Sequence, residues 1–165
     1  MALPEIDATE MLTVWLPVTD ATEENGCLCV VPHSHRGGLV THCPGTSEER
    51  KALHIPDELR GSRSTPVPLK RGSVLFLHRQ TMHASLRNES TGVRWSFDLR
   101  YQPIGQPTGR PFFPSLVVRS CQNPASAVTD WQVWRDLWRA TRVQLTQNPP
   151  VGGTNRWTGA EMVCA

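Results

Sequence analysis

The chain has 165 residues and a mass of 18.4 kDa, a size that suits one domain with a core of its own. Its formal net charge of +2 gives no reason to expect a nucleic acid or an anionic membrane as a partner. The N-terminus does not resemble a leader, and no apolar run approaches the ~18 residues of a membrane-spanning helix. We therefore expect a cytoplasmic protein.

The cysteine pattern argues against a disulfide framework. There are five cysteines, an odd number, and no Cys-x-x-Cys pair. We expect reduced, buried thiols at all five positions. They are Cys27, Cys29, Cys43, Cys121 and Cys164.

The first part of the chain predicts two strands. After a polar loop at Met1–Glu10, apolar residues alternate over Met11–Val18, with Trp15 and Leu16 on opposite faces. Asn25-Gly26 suits the positive φ of a tight turn, and Cys27–Pro32 follows as a returning strand. The pattern predicts an antiparallel hairpin.

A long connection separates these strands from the next apolar run. His33–Lys70 contains four prolines, the pair Gly37-Gly38 and two charge clusters. A connection of this length in a compact domain is usually functional or mobile. We expect it to form a lid over a site.

Two apolar segments follow, separated by a polar turn. Val74–Leu77 predicts a short buried strand, and Asn88–Gly92 has the composition of a tight connection. Val93–Tyr101 then alternates apolar and polar residues, which predicts a strand with Arg94 near the start of its polar face. Arg94 would thus lie beside the segment that carries His83.

The C-terminal part predicts one amphipathic helix. Thr108–Pro114 is a connection, and Thr129 or Asp130 can cap a helix through Leu145. Asn148–Ala165 begins with two prolines and is expected to be an extended tail. The apolar stripe of the helix is interpreted as core packing and not as a cofactor site. Its members are Trp134, Leu137, Trp138, Thr141 and Leu145.

The spacing His-x-Ser-x-x-Asn-x-Ser, with an arginine eleven residues after the histidine, resembles the phytanoyl-CoA dioxygenase family. Met11–Arg36, with its Asn-Gly turn and Ser-His pair, and Arg100–Pro111 resemble the same family. The resemblance implies an all-β core, a double-stranded β-helix (jelly roll, cupin-like), with a C-terminal helix. It also implies one domain, with residues 1–120 forming a partial β-helix and residues 121–165 its helix and tail.

The resemblance implies an iron(II)- and 2-oxoglutarate-dependent hydroxylase that acts on a small organic metabolite. His83 matches a metal ligand, and no catalytic group is implied beyond the ligands. Arg94 matches the arginine that pairs with the far carboxylate of 2-oxoglutarate, since a guanidinium meets a carboxylate with two parallel hydrogen bonds. Ser85 and Trp15 match positions that line the co-substrate pocket.

The remaining iron ligands are missing from the printed chain. The family supplies them as His-x-Asp shortly before the strand that matches Met11–Val18, but no such triplet occurs here. By alignment it would fall upstream of Met1, so we expect the N-terminal part of the family domain to be absent and this chain to bind iron weakly or not at all.

Three alternatives stay open at this point. His33-Ser34-His35 with His83 would give a cupin-like three-histidine site, which we do not favour because no glutamate follows a few positions later. A barrel that keeps only the Arg94 pocket would be a non-catalytic dicarboxylate-binding module. A fragment with uncovered strands would have no independent function.

Overall fold

The computed structural model describes residues 9–44, 53–61, 63–108, 112–149 and 159–164. Six strands and two helices occur in these ranges, with three short 3-10 segments at Ser34–Gly37, Pro124–Ser126 and Met162–Cys164. The strands are β1 Leu12–Pro17, β2 Leu28–Val30, β3 Thr65–Val67, β4 Leu75–His78, β5 His83–Ser85 and β6 Ser96–Tyr101; the helices are α1 Asp57–Arg60 and α2 Trp131–Gln147.

The strands form two antiparallel three-stranded sheets, in the orders β4-β1-β6 and β3-β2-β5. A buried cluster contains Trp15 and Leu77 from the first sheet and Leu28 from the second. Apolar residues of both sheets therefore form one core, as expected of a jelly roll. The predicted all-β core with a C-terminal helix is confirmed.

The chain divides into two compact units. One contains the six strands together with residues 159–164. The other contains Glu10 and the described part of residues 102–149, including α2. Glu10 is held within that unit because its amide donates to the side-chain oxygen of Gln106 at 2.8 Å.

The predicted hairpin is wrong. β1 pairs with β4 and β6, whereas β2 pairs with β3 and β5, so the Asn25-Gly26 turn leads from one sheet to the other. Gly26 does have the expected positive φ of 84°. A Cβ at Gly26 would lie 2.7 Å from the carbonyl oxygen of Leu86, so this crossover requires glycine for space as well as conformation.

Two further predictions need correction. Val74–Leu77 is not buried on both faces, because Val74 and Phe76 are 46% and 62% exposed while Leu77 is buried. The predicted connection His33–Lys70 contains strand β3, which lies at the edge of its sheet. Pro66 is tolerated there because an edge strand can lack an amide donor on its open side.

The helix prediction is confirmed. Asp130 caps α2, and its carboxylate accepts from the amide of Gln132 at 2.8 Å. On the predicted stripe, Thr141 is buried and Trp134 packs edge-on against Trp138 with ring centroids 5.7 Å apart. Neither described helix has the length and apolarity needed to cross a membrane.

The cysteine prediction is wrong for one pair. Cys43 and Cys164 form a disulfide that joins positions 121 residues apart. The spacing of the two cysteines in the sequence could not predict this pairing, because only the folded chain brings the C-terminal 3-10 segment next to Cys43. Cys27 and Cys29 are free and buried as predicted, whereas Cys121 is free and exposed.

Some predictions fall on residues outside the described ranges. They concern most of the loop Met1–Glu10, the middle of the connection Thr108–Pro114 and most of the tail Asn148–Ala165. The lid prediction for His33–Lys70 also stays a prediction, since part of that connection is outside the ranges.

Candidate functional site

Arg94 lies where the two sheets approach each other, just ahead of β6. Its Nη1 donates to Ser96 Oγ at 2.9 Å, at the start of β6. Its Nη2 donates to Ser85 Oγ at 3.2 Å, on β5 of the other sheet. Its guanidinium carbon lies 5.3 Å from the ring centroid of Trp15, which is almost fully buried on β1. Three strands therefore position one guanidinium.

One donor of that guanidinium has no acceptor. Arg94 Nε is buried and makes no hydrogen bond within the described part of the chain. No carboxylate of the described residues lies within ion-pair distance of Arg94. A buried donor without a partner costs free energy, so its persistence calls for an explanation such as an absent ligand. An anionic ligand with planar oxygens, such as a carboxylate, would satisfy both the charge and the donor.

His83 lies at the start of β5, two residues before Ser85. Its Nδ1 lies 2.8 Å from the backbone carbonyl oxygen of Thr81. Because a carbonyl oxygen can only accept, Nδ1 donates and the lone pair stays on Nε2. Metal-binding histidines are commonly oriented by a contact of this kind, so His83 has the geometry of a potential ligand.

A cleft opens beside His83. Its lining mixes apolar side chains with two histidines and one arginine and contains no carboxylate. The lining residues are Gly38, Leu39, Val40, His42, Ile55, Arg79, Gln80, Thr81, Met82 and His83. Sequence analysis did not single out Arg79–Met82, although their position just ahead of His83 in the chain was a signal that they would border the same space.

His42, in the connection His33–Lys70, is half-buried in this cleft. Burial lowers the pKa of His42, and the 2.8 Å contact of its Nδ1 with the Val40 carbonyl opposes that shift in part. His54, in the same connection, is exposed. The two are neighbours in the fold, because the backbones of Cys43 and His54 exchange hydrogen bonds of 2.7 and 2.9 Å.

The described residues do not form an iron site of two histidines and one carboxylate. No group of three His, Cys, Asp or Glu side chains in the described ranges is arranged to hold a metal ion. His83 therefore stays a predicted ligand, without a second histidine and a carboxylate arranged beside it in the part of the chain that the structure describes.

His33 and His35 do not lie at the end of a strand. His33 has a left-handed φ of 62° and precedes the 3-10 turn that contains His35. The ring of His35 lies 5.3 Å from that of His78, centroid to centroid. The three-histidine alternative would need His33 and His35 at a strand end, where both side chains project from one face. These residues lie in a local turn instead.

The family model described as Phytanoyl-CoA dioxygenase (PhyH) matches residues 2–96, a range that includes Trp15, His83, Ser85 and Arg94. Phytanoyl-CoA dioxygenase domain-containing protein 1 from Bos taurus is 30% identical over 111 residues, which cover 56% of this chain and 38% of the relative. The Mus musculus protein of the same name is 29% identical over 135 residues, covering 68% and 46%. The chain thus spans less than half the length of these curated relatives.

A solved structure, the apo form of the non-heme monooxygenase ThoJ, shares the fold. Its TM-score is 0.53 at 20% identity, with 84% of this chain and 54% of that chain covered. The likeness supports the jelly-roll architecture of the two sheets. The match of the family model over more than half of the sequence supports one conclusion. The chain belongs to the phytanoyl-CoA dioxygenase family.

Proposed function

We propose that this chain carries the co-substrate site of an iron(II)- and 2-oxoglutarate-dependent dioxygenase that hydroxylates a small organic metabolite. The single observation that carries the proposal is the guanidinium of Arg94, held by two serines and Trp15 with a buried donor left over. The far carboxylate of 2-oxoglutarate supplies the charge and the acceptor that this group lacks.

The roles of the neighbouring residues follow from their contacts. Ser85 and Ser96 accept from two guanidinium nitrogens and so fix the direction in which the buried Nε–H points. The indole of Trp15 covers one face of the guanidinium and limits its access to water, which strengthens its attraction for an anion. His83 lines the cleft, where a metabolite would enter.

A second candidate function is a dicarboxylate-binding module without iron chemistry. It is favoured by one observation, that the described residues bring no group of three metal-binding side chains together. Both functions predict binding at Arg94. They differ in whether iron changes the affinity for 2-oxoglutarate.

Calorimetric titration with 2-oxoglutarate, first in excess chelator and then with iron(II) under anaerobic conditions, tests the proposal. A chain that keeps the iron chemistry in spite of the missing His-x-Asp requires tighter binding with iron and formation of succinate once oxygen is admitted. Equal affinity in the two titrations, with no succinate, would support the binding module. Absence of 2-oxoglutarate binding in both titrations would overturn both functions.

Replacing Arg94 by alanine should weaken 2-oxoglutarate binding about 10- to 100-fold, the effect of losing hydrogen bonds to a charged group. Arg87→Ala is the matched control, because Arg87 is an exposed arginine outside the pocket. Equal losses in the two variants would contradict the assignment of Arg94.

A further inference from the structure

The disulfide Cys43–Cys164 joins two segments of the unit that contains the six strands. Cys43 lies in the connection His33–Lys70 and is only 3% exposed, whereas Cys164 ends the 3-10 segment Met162–Cys164 and is partly exposed. Thiol–disulfide exchange begins when a thiolate reaches one of the two sulfur atoms. An attacking thiolate therefore approaches this bond from the side of Cys164.

Cys43 belongs to one wall of the cleft beside His83. Its neighbour in the chain, His42, lines the cleft. Its backbone exchanges hydrogen bonds of 2.7 and 2.9 Å with that of His54, and the next residue, Ile55, lines the cleft as well. The position of Cys43 therefore fixes two residues of this wall, and the disulfide attaches the wall to the 3-10 segment.

The wall and the 3-10 segment also contact each other without the covalent bond. Cys43 Sγ lies 3.8 Å from the carbonyl oxygen of Val163, within reach of a thiol hydrogen bond once the disulfide is reduced. Gly159 lies against Pro44, because a Cβ built on Gly159 would be 3.2 Å from Pro44 Cγ. A thiol is a weak donor, so we expect the reduced chain to keep its fold and to hold the wall less firmly.

The other cysteines indicate the redox setting in which this bond works. Cys27, Cys29 and Cys121 are free thiols, and Cys121 is exposed. Chains with a disulfide framework usually pair their cysteines, whereas three free thiols beside one disulfide suit a chain that meets thiol reductants. Disulfides in such a setting are usually transient and redox-sensing.

We propose that Cys43–Cys164 is a reversible thiol–disulfide switch, which holds the cleft wall of His42 and Ile55 in place when oxidised and loosens it when reduced. The inference concerns the wall alone and does not depend on which ligand the cleft binds.

The reductant is a small thiol such as glutathione. Its thiolate bonds to Cys164 Sγ as the S–S bond breaks, and Cys43 leaves as a thiolate that is protonated from water. A second glutathione thiolate attacks the glutathione sulfur of the mixed disulfide and releases Cys164, which is protonated in turn. The protein pair gains two electrons and the two protons that the glutathione thiols lose, and the two glutathione molecules become one glutathione disulfide. The reverse sequence restores the bond.

Equilibration of the folded chain in glutathione buffers of graded ratio, followed by alkylation and mass spectrometry, measures the redox state of the pair. Cys43 and Cys164 should become alkylated together as the share of reduced glutathione rises, and should lose that label when oxidised glutathione is restored. A bond that survives the fully reduced buffer and opens only in denaturant would overturn the inference. So would loss of the folded circular dichroism spectrum on reduction.

Modification by diethyl pyrocarbonate at one fixed pH measures whether the wall responds. His42 is half-buried in the oxidised chain and should react about 10-fold faster in the reduced chain, because local opening then costs less free energy. His54 is exposed and serves as the reference within the same molecule. An unchanged ratio of His42 to His54 modification in the two redox states would overturn the inference.

Two variants assign the response to this pair. The double variant C43S/C164S should show the reactivity of the reduced wild type in every buffer. Cys121→Ser, the matched control, should keep the wild-type response, since Cys121 is a free thiol outside the pair. A double variant that still responds to the buffer, or a control that does not, would show that another thiol carries the response. If the double variant is too unstable to purify, the wild-type comparison decides alone.

Discussion

Arg94 shows what residue-level patterns predict and what they leave out. The spacing of His83, Ser85 and Arg94 predicted that they would lie near one another, and Arg94 does contact Ser85, two residues after His83 in the chain. The roles in co-substrate and metal binding stay predictions. The buried, unpaired Nε of Arg94 could not be predicted from the sequence, because its burial depends on how Trp15 and two serines surround the guanidinium.

His42 provides a residue-scale prediction of pH dependence. Burial lowers its folded-state pKa below the ordinary value of 6.5, so the unfolded chain binds a proton more readily. The contribution of this pKa difference to the free energy of unfolding is fully present above pH 6.5 and is lost as the pH falls through the folded-state pKa. Chemical denaturation at a series of pH values should show this loss for the wild type and a smaller one for His42→Gln.

His54→Gln is the control for that series, since His54 is exposed and its charge is the smallest of the contributions that lower the pKa of His42. It should keep the wild-type pH profile. An unchanged profile in the His42 variant would show that burial of this imidazole does not contribute to acid sensitivity.

At the scale of elements, local periodicity predicted where strands and the helix lie but not how strands pair. Alternation identified β1 and β6, and the i, i+3, i+4 spacing from Trp134 identified α2. The hairpin was wrong because an Asn-Gly turn is equally compatible with a crossover between sheets. β3 was missed since three residues around a proline carry almost no periodic signal.

The crossover turn gives an element-scale prediction. Gly26→Ala should lower the free energy of unfolding by about 1 to 3 kcal/mol, because its φ is 84° and the added Cβ meets the Leu86 carbonyl oxygen. Gly92→Ala is the matched control in a nearby turn, where the nearest atom lies 4.0 Å from a built Cβ. Denaturant unfolding of both variants measures the difference, and similar losses would contradict the steric explanation.

On the scale of the whole molecule, the disulfide is the feature that the composition did not predict. Cys43–Cys164 connects the C-terminal 3-10 segment to the loop that contains His42. Disulfides are rare in the reducing cytosol, so this bond stands in tension with the cytoplasmic location predicted from the sequence.

Removing the bond tests its contribution. Cys43→Ser should lower the free energy of unfolding by about 3 to 5 kcal/mol, since the bond closes a loop of more than a hundred residues. Cys121→Ser, which removes an exposed free thiol, should have little effect. Alkylation of the unreduced protein in denaturant, followed by mass spectrometry, should label Cys27, Cys29 and Cys121 alone; labelling of Cys43 would contradict the pairing.

The most direct test of the central claim compares two ligands at Arg94. 2-Oxopentanoate has the keto acid end of 2-oxoglutarate but a methyl group in place of the far carboxylate. We expect the wild-type chain to prefer 2-oxoglutarate about 10- to 100-fold in calorimetry, and Arg94→Ala to bind the two ligands equally. If the variant kept the wild-type preference, the far carboxylate would be bound elsewhere and the assignment of Arg94 would be wrong.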